Sequence, residues 1–237
     1  MDARLGRART RGVSQQGLAL VALHAPRAAS IAALGWRVPA PLPAPRLAVA
    51  DSSRAEAREA LRRITVPDGA LLVGFHPGAR WPTRRWAPER FAALAQRVLD
   101  AHEHAFALVT AGPGETDAAQ EALAPLPAAR ARLVEGWPIA RFVALQSLCA
   151  AFVCGDTGPL HTAVAAGAPT LGLLSRNRPA MFFPYDERDG HRAYTARVEC
   201  SPCDRDTCAD LRCLTRLSVE GAWERLAPML AGAAAPR

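Results

Sequence analysis

"ALLVGFHPGARWPTRRWAPERFAALAQRVLDAHEHAFALVTAG", residues 70–112, is the stretch on which the fold turns. Its first seven residues, "ALLVGFH" (70–76), are apolar almost without interruption, as a strand buried on both faces requires. "PERFAALAQRVLDA" (88–101) then places Phe91, Leu94, Ala95, Val98 and Leu99 on one side of a 3.6-residue period, which predicts an amphipathic helix. "AFALVTAG" (105–112) is a second apolar run. A strand, a helix and a strand in this order carry the chain back to where it started, so the two strands lie parallel.

The same alternation continues in both directions. "DSSRAEAREALRRI" (51–64) predicts a helix with Ala57, Ala60, Leu61 and Ile64 on its inner face and a capping box made by Ser53 and Glu56. Downstream, "ARLVEG" (131–136), "AAFVCG" (150–155), "APTLGLLS" (168–175) and "RAYTARV" (192–198) read as strands. Helices are expected around 116–124 and 140–149, after Asp156, and in the closing "SVEGAWERLAPMLA" (218–231). The expected fold class is α/β, a Rossmann-like doubly wound parallel sheet. Residues 51–237 form this domain, and residues 1–50 are an irregular N-terminal segment with a Pro-rich linker, "VPAPLPAPRLAV" (38–49).

The bulk numbers narrow the chemistry. The 237 residues are half apolar, and none of their apolar runs approaches the roughly 20 residues that span a bilayer. A basic start followed by "GLALVALHA" imitates a secretory signal. The apolar part is short and the cleavage site poor, which argues against export and for the cytoplasm. The net charge of +7, carried by Arg with no Lys, suits an anionic partner. Nucleic acid is disfavoured because the arginines are scattered and not interleaved with aromatics.

In an open parallel sheet a ligand sits beyond the carboxyl ends of the strands. The loops there are "HPGARWPTRRW" (76–86), "AGPGETD" (111–117), "EGWPI" (135–139), "GDTGPLH" (155–161) and "SRNRPAMFFP" (175–184). Two are Gly-containing turns opening a helix, where free amides favour an anion, and the first adds Arg80, Arg84 and Arg85. Singly, such turns are ordinary: Asp156 could be a helix cap, and His76 or His161 a core histidine. Three of them meeting at one sheet edge predict an anionic-ligand site.

With those loops in view, "FHPGARWPTRRWAPERFAALA", "TAGPGETD" and "GDTGPLHTAVAAGAPTLGLL" resemble, in order and spacing, the C-terminal half of glycosyltransferase family 9, the ADP-heptose:lipopolysaccharide heptosyltransferases. "CSPCDRDTCADLRCLTRLSVE" resembles the Cys-rich segment and closing helix of many members, so the likeness runs over about residues 38–230. It implies the C-terminal domain of a GT-B glycosyltransferase, two Rossmann-like domains facing across a cleft. The implied reaction is inverting transfer of heptose from ADP-heptose, or a related nucleotide sugar, to the lipopolysaccharide inner core, with no cofactor and peripheral inner-membrane contact.

Carried over by position, Arg84 stands where the family keeps a basic residue on the donor phosphates, just before Trp86. Thr83 is a weaker candidate for the same region, and Glu115 matches the acidic residue on the adenosine ribose. Asp156, Thr157, Gly158 and His161 match the block around the diphosphate and sugar. The chain departs from the family in having Leu160 before the histidine, and Pro159 removes one amide from the helix start.

The family's catalytic base is an Asp near the start of the N-terminal domain. Some 50 residues cannot build such a domain, and neither Asp2 nor Asp51 follows a Gly-rich strand end, so no base is assigned. The expectation is a donor half that binds ADP-sugar weakly and transfers nothing alone. The alternative is a nucleotide-sugar-binding module without chemistry; an epimerase-like relative or a Cys-rich nucleic-acid binder are remoter readings. Cys200, Cys203, Cys208 and Cys213 form C-x2-C-x4-C-x4-C, compatible with a structural zinc, reduced thiols or disulfides; no metal is assigned.

Overall fold

The computed structural model describes residues 44–176, 179–203 and 205–231. Most of the 1–50 segment and the first part of the linker lie outside the described residues. Six strands form one wholly parallel sheet in the order β3-β2-β1-β4-β5-β6. They are β1 (Leu71–His76), β2 (Ala105–Ala111), β3 (Ala131–Glu135), β4 (Ala151–Gly155), β5 (Thr170–Leu174) and β6 (His191–Thr195). The longer helices are α1 (Asp51–Arg63), α2 (Pro88–Ala101), α3 (Thr116–Leu123), α4 (Ile139–Gln146) and α5 (Gly158–Ala165). Short turns α6 (Pro179–Phe182) and α7 (Arg212–Thr215) precede the closing helix α8 (Val219–Leu230). This is the doubly wound order, in which the chain moves outward from β1 to β3 and then returns to the other side at β4.

Every residue of β1, β4 and β5 is buried, as their unbroken apolar runs demand. Alternate side chains feed two cores. Leu71, Val73 and Phe75 of β1 face α2 and α8, joining Phe91, Leu94, Val98, Leu217 and Leu226. Leu72, Phe106 and Phe152 face the opposite layer, joining Leu61 of α1, Leu145 of α4 and Leu160 of α5. Trp86 seals the first core: its ring meets Phe91 edge-on with centroids 5.1 Å apart, and Nε1–H donates to the Leu217 carbonyl at 2.8 Å.

Two local expectations change. Helix α1 begins at Asp51 behind Ala50, with no side-chain cap, so Ser53 lies inside the helix and the capping box does not form. Its inner face survives in part: Ala57 and Leu61 are buried, and Ala60 and Ile64 half-buried. The end of the linker, in turn, is docked: Ala44 is buried and the Leu47 N–H donates to the Ala165 carbonyl at 2.7 Å. Gly167, at φ 84°, takes the left-handed conformation that closes α5 and lets the chain turn into β5. Among the described residues no helix is long and apolar enough to cross a membrane.

Candidate functional site

Strands β1 and β4 are neighbours whose connections leave in opposite directions, so a crevice opens beyond His76 and Gly155, where they end. On the β4 side, the short 3-10 turn Pro82–Arg84 lies directly against the strand end. A Cβ on Gly155 would stand 2.6 Å from the Arg84 carbonyl oxygen, so only glycine permits this approach. Ser175, just past β5, donates its hydroxyl to the Thr83 carbonyl. The turn is thus held by two strand ends.

That placement brings Arg84 to Asp156. Arg84 Nη1 lies 3.3 Å from the Asp156 carbonyl oxygen and 3.5 Å from its Oδ2. Asp156 is buried, whereas the Arg84 side chain keeps 22% of its exposure and so remains reachable. His161, one turn into α5, feels both charges. Burial first, then the Arg84 charge, push its pKa down against the opposing pull of Asp156. Its Nδ1 is 2.9 Å from the Tyr185 hydroxyl. Thr157 is the N-cap residue of α5 but its side chain makes no capping bond. Pro159 lacks an N–H and the Leu160 N–H goes to the Thr157 carbonyl, which leaves Gly158 as the exposed amide of that turn. A Cβ on Gly158 would meet nothing within 4 Å, so the helix start opens onto free space.

On the β1 side, Glu115 occupies the N-cap position of α3 without capping it. Its Oε2 instead accepts from the Gly112 N–H at 3.0 Å and lies 3.1 Å from His76 Nε2. His76 is itself buried, with Nδ1 2.9 Å from the Thr110 hydroxyl. The ring thus stands between the Glu115 carboxylate on its Nε2 side and the Thr110 hydroxyl on its Nδ1 side. Gly78 and Gly112 make the room: a Cβ on either would come within 2.4 Å and 2.8 Å of the carboxylate oxygen. Contact with His76, helped by the Gly112 amide and the Arg85 charge, holds the Glu115 carboxyl below the usual range despite its burial.

A pH dependence follows from that direction. A carboxyl with a depressed folded-state pKa adds stability above its unfolded value of about 4.3 and loses it as pH falls through the folded value. Urea unfolding from pH 7 down to pH 3 is therefore expected to show a steeper acid loss in the natural protein than in Glu115→Gln. Parallel profiles would contradict the His76–Glu115 coupling.

Between these two sides runs a cleft of about 780 Å³, lined from His76 and Glu115 to Pro159 at the start of α5. Its far wall is apolar: Val134, Trp137, Ile139 and Phe142, with Glu135 and Thr116 at the edge. The structure therefore gathers Arg84, Asp156, Thr157, Gly158 and His161 on one side of the rim and Glu115 on the other. Thr83 sits in the same turn but is buried, and its hydroxyl donates to the Asp206 carbonyl at 3.3 Å. The sequence reading passed over the apolar wall; a Trp and an Ile in the loop after β3 were its signal. It also passed over Arg176, buried just beyond β5, whose Nη2 is 2.8 Å from Asp206 Oδ1. All six cysteines are free, and among the described residues no group of His, Cys, Asp and Glu is disposed to hold a metal ion.

The profile of glycosyltransferase family 9 (heptosyltransferase) matches residues 19–213. No curated protein matches the chain significantly. Among solved structures, the E. coli ADP-heptose LPS heptosyltransferase II is similar at 23% identity and a TM-score of 0.67, over 82% of this chain and 56% of that one. A glycosyl transferase family 9 protein from Veillonella parvula DSM 2008 gives 19% and 0.65, over 79% and 54%. E. coli heptosyltransferase WaaC with ADP gives 16% and 0.55, over 86% and 55%. The chain thus spans about half the length of these structures, and identities this low establish the shared Rossmann-like, GT-B-type fold.

Proposed function

The chain belongs to glycosyltransferase family 9 (heptosyltransferase), and from that premise we propose that its 51–237 domain binds the nucleotide-sugar donor of a glycosyl transfer. The donor is ADP-heptose or a related nucleotide sugar, and the acceptor is the lipopolysaccharide inner core, reached from the cytoplasmic side with peripheral membrane contact. The observation that carries this reading is the polarity of the rim. A basic, amide-bearing side formed by Arg84 and the start of α5 lies beyond the Pro159 end of the cleft, and a carboxylate beside an apolar wall lines the cleft itself.

A nucleoside diphosphate has the complementary polarity. Its phosphates suit the guanidinium and the Gly158 amide, its ribose hydroxyls suit Glu115 Oε1, and its base suits the wall of Trp137 and Phe142. Glu115 would repel phosphate, so the nucleotide enters in one orientation. Asp156 is likewise poor company for phosphate and faces the sugar hydroxyls. In an inverting displacement the bond from the anomeric carbon to the diphosphate breaks, and negative charge grows on the departing oxygen. On this reading Arg84 and the Gly158 amide are the fixed donors to that charge, which is how such groups lower a barrier.

Calorimetric titration of the purified chain with ADP tests this reading. Saturable one-to-one binding is expected, with adenosine, which lacks the phosphates, bound more weakly by at least about tenfold. An absence of ADP binding at millimolar concentration would sink it.

A further inference from the structure

The cleft has a lopsided hydrogen-bonding inventory. His76 is buried between Glu115 and Thr110, and Thr116 donates its hydroxyl to Glu135 Oε2 at 2.9 Å. Among the described side chains that line it, the donors left are His76 Nε2, which is buried against Glu115, and the Trp137 indole. The remaining polar atoms, Glu115 Oε1 and Glu135 Oε1, belong to carboxylates, which accept and do not donate. Glu115 meets the end of β1 through His76, whereas Glu135 ends β3. Those ends are two strand spacings apart, about 10 Å, the scale of one nucleoside from its ribose hydroxyls to the far edge of its base.

We propose that Glu135 selects the nucleobase, accepting a hydrogen bond from an exocyclic amino group such as the one adenine carries at C6. An oxo group at that position would bring a lone pair against the carboxylate instead. The inference rests on the nucleotide-donor reading above and adds to it a residue that decides which base is taken. Thr116 holds the carboxylate in place before any ligand arrives, so little ordering is needed on binding. Because Glu135 is exposed, its preference is modest beside that of a fully buried acceptor.

The test compares ADP with inosine diphosphate, in which an oxo group replaces the amino group at purine C6 and N1 carries a proton. The 237-residue chain is titrated with each. ADP is expected to bind about tenfold more tightly. In Glu135→Gln, which can both donate and accept, the two should bind within about twofold of each other. Thermal unfolding of the variant is expected to match the natural protein, because the side chain lies outside both cores. Equal binding of the two nucleotides by the natural protein, or a preference that persists in Glu135→Gln, overturns the assignment while leaving the donor reading intact. Loss of ADP binding itself would instead overturn the donor reading, and this inference with it.

Discussion

Arg84→Ala is expected to weaken ADP binding by about 10–100-fold while leaving the folded domain in place. A charge-assisted hydrogen bond contributes about 1.5–3 kcal/mol, and Asp156, which already shares the guanidinium, draws the expected loss toward the tenfold end of that range. The side chain is partly exposed, and the contacts that hold its turn are made by backbone atoms, the Arg84 carbonyl at Gly155 and the Thr83 carbonyl at Ser175. Removing the side chain therefore leaves that turn supported. Arg84→Lys keeps the charge but not the planar fork, so an intermediate loss is expected. Calorimetric titration with ADP reads both. An Arg84→Ala affinity within twofold of the natural protein would show that the phosphates lie elsewhere.

Trp86→Ala is expected to carry the largest cost in stability, about 3–5 kcal/mol by urea unfolding. The ring is 1% exposed and packs on Phe91, in the core that β1, α2 and α8 share. Its loss also removes the Nε1–H bond to Leu217, although Arg90 Nη1 still donates to that carbonyl at 2.8 Å. Trp86→Phe separates the two contributions: it restores much of the packing and forfeits the hydrogen bond, for an expected cost of about 1–2 kcal/mol. A destabilisation below about 1 kcal/mol in Trp86→Ala would mean that this core closes without the indole. Trp86 also follows the binding turn by two residues, so the same side chain that closes the core anchors the chain where the turn ends.

Much of this fold was legible because its signals are local. The apolar run of "LLVGFH" and the spacing of Phe91, Leu94, Ala95, Val98 and Leu99 each depend on a few consecutive residues, and β1 and α2 appear where those patterns lie. Helix α1 was legible as a helix but not at its start. The Ser53–Glu56 pair imitates a cap, yet the chain is already helical from Asp51, where the docked linker delivers it. The predicted last strand, 192–198, stops early at Thr195, because beyond it the chain leaves β5 and no ladder partner remains.

The candidate site divides in the same way. Post-strand loops with Gly, Arg, Asp and His could be found from the sequence alone, because a parallel sheet forces every such loop to one edge. Hence the loops that carry Arg84, Glu115, Asp156, Thr157, Gly158 and His161 are expected on one rim, while the choice of those residues within the loops rests on the family resemblance. Which of them meet was a different matter. That Glu115 folds back onto Gly112 and His76, that Thr83 turns its hydroxyl inward to Asp206, and that Trp137 and Glu135 wall a cleft are contacts across 3 to 123 residues of chain. Period and composition carry the solvent preference of each residue, which decides the elements and the edge they share. The rotamer and partner of each side chain are decided by packing between elements distant in sequence, and only the assembled tertiary structure contains that information.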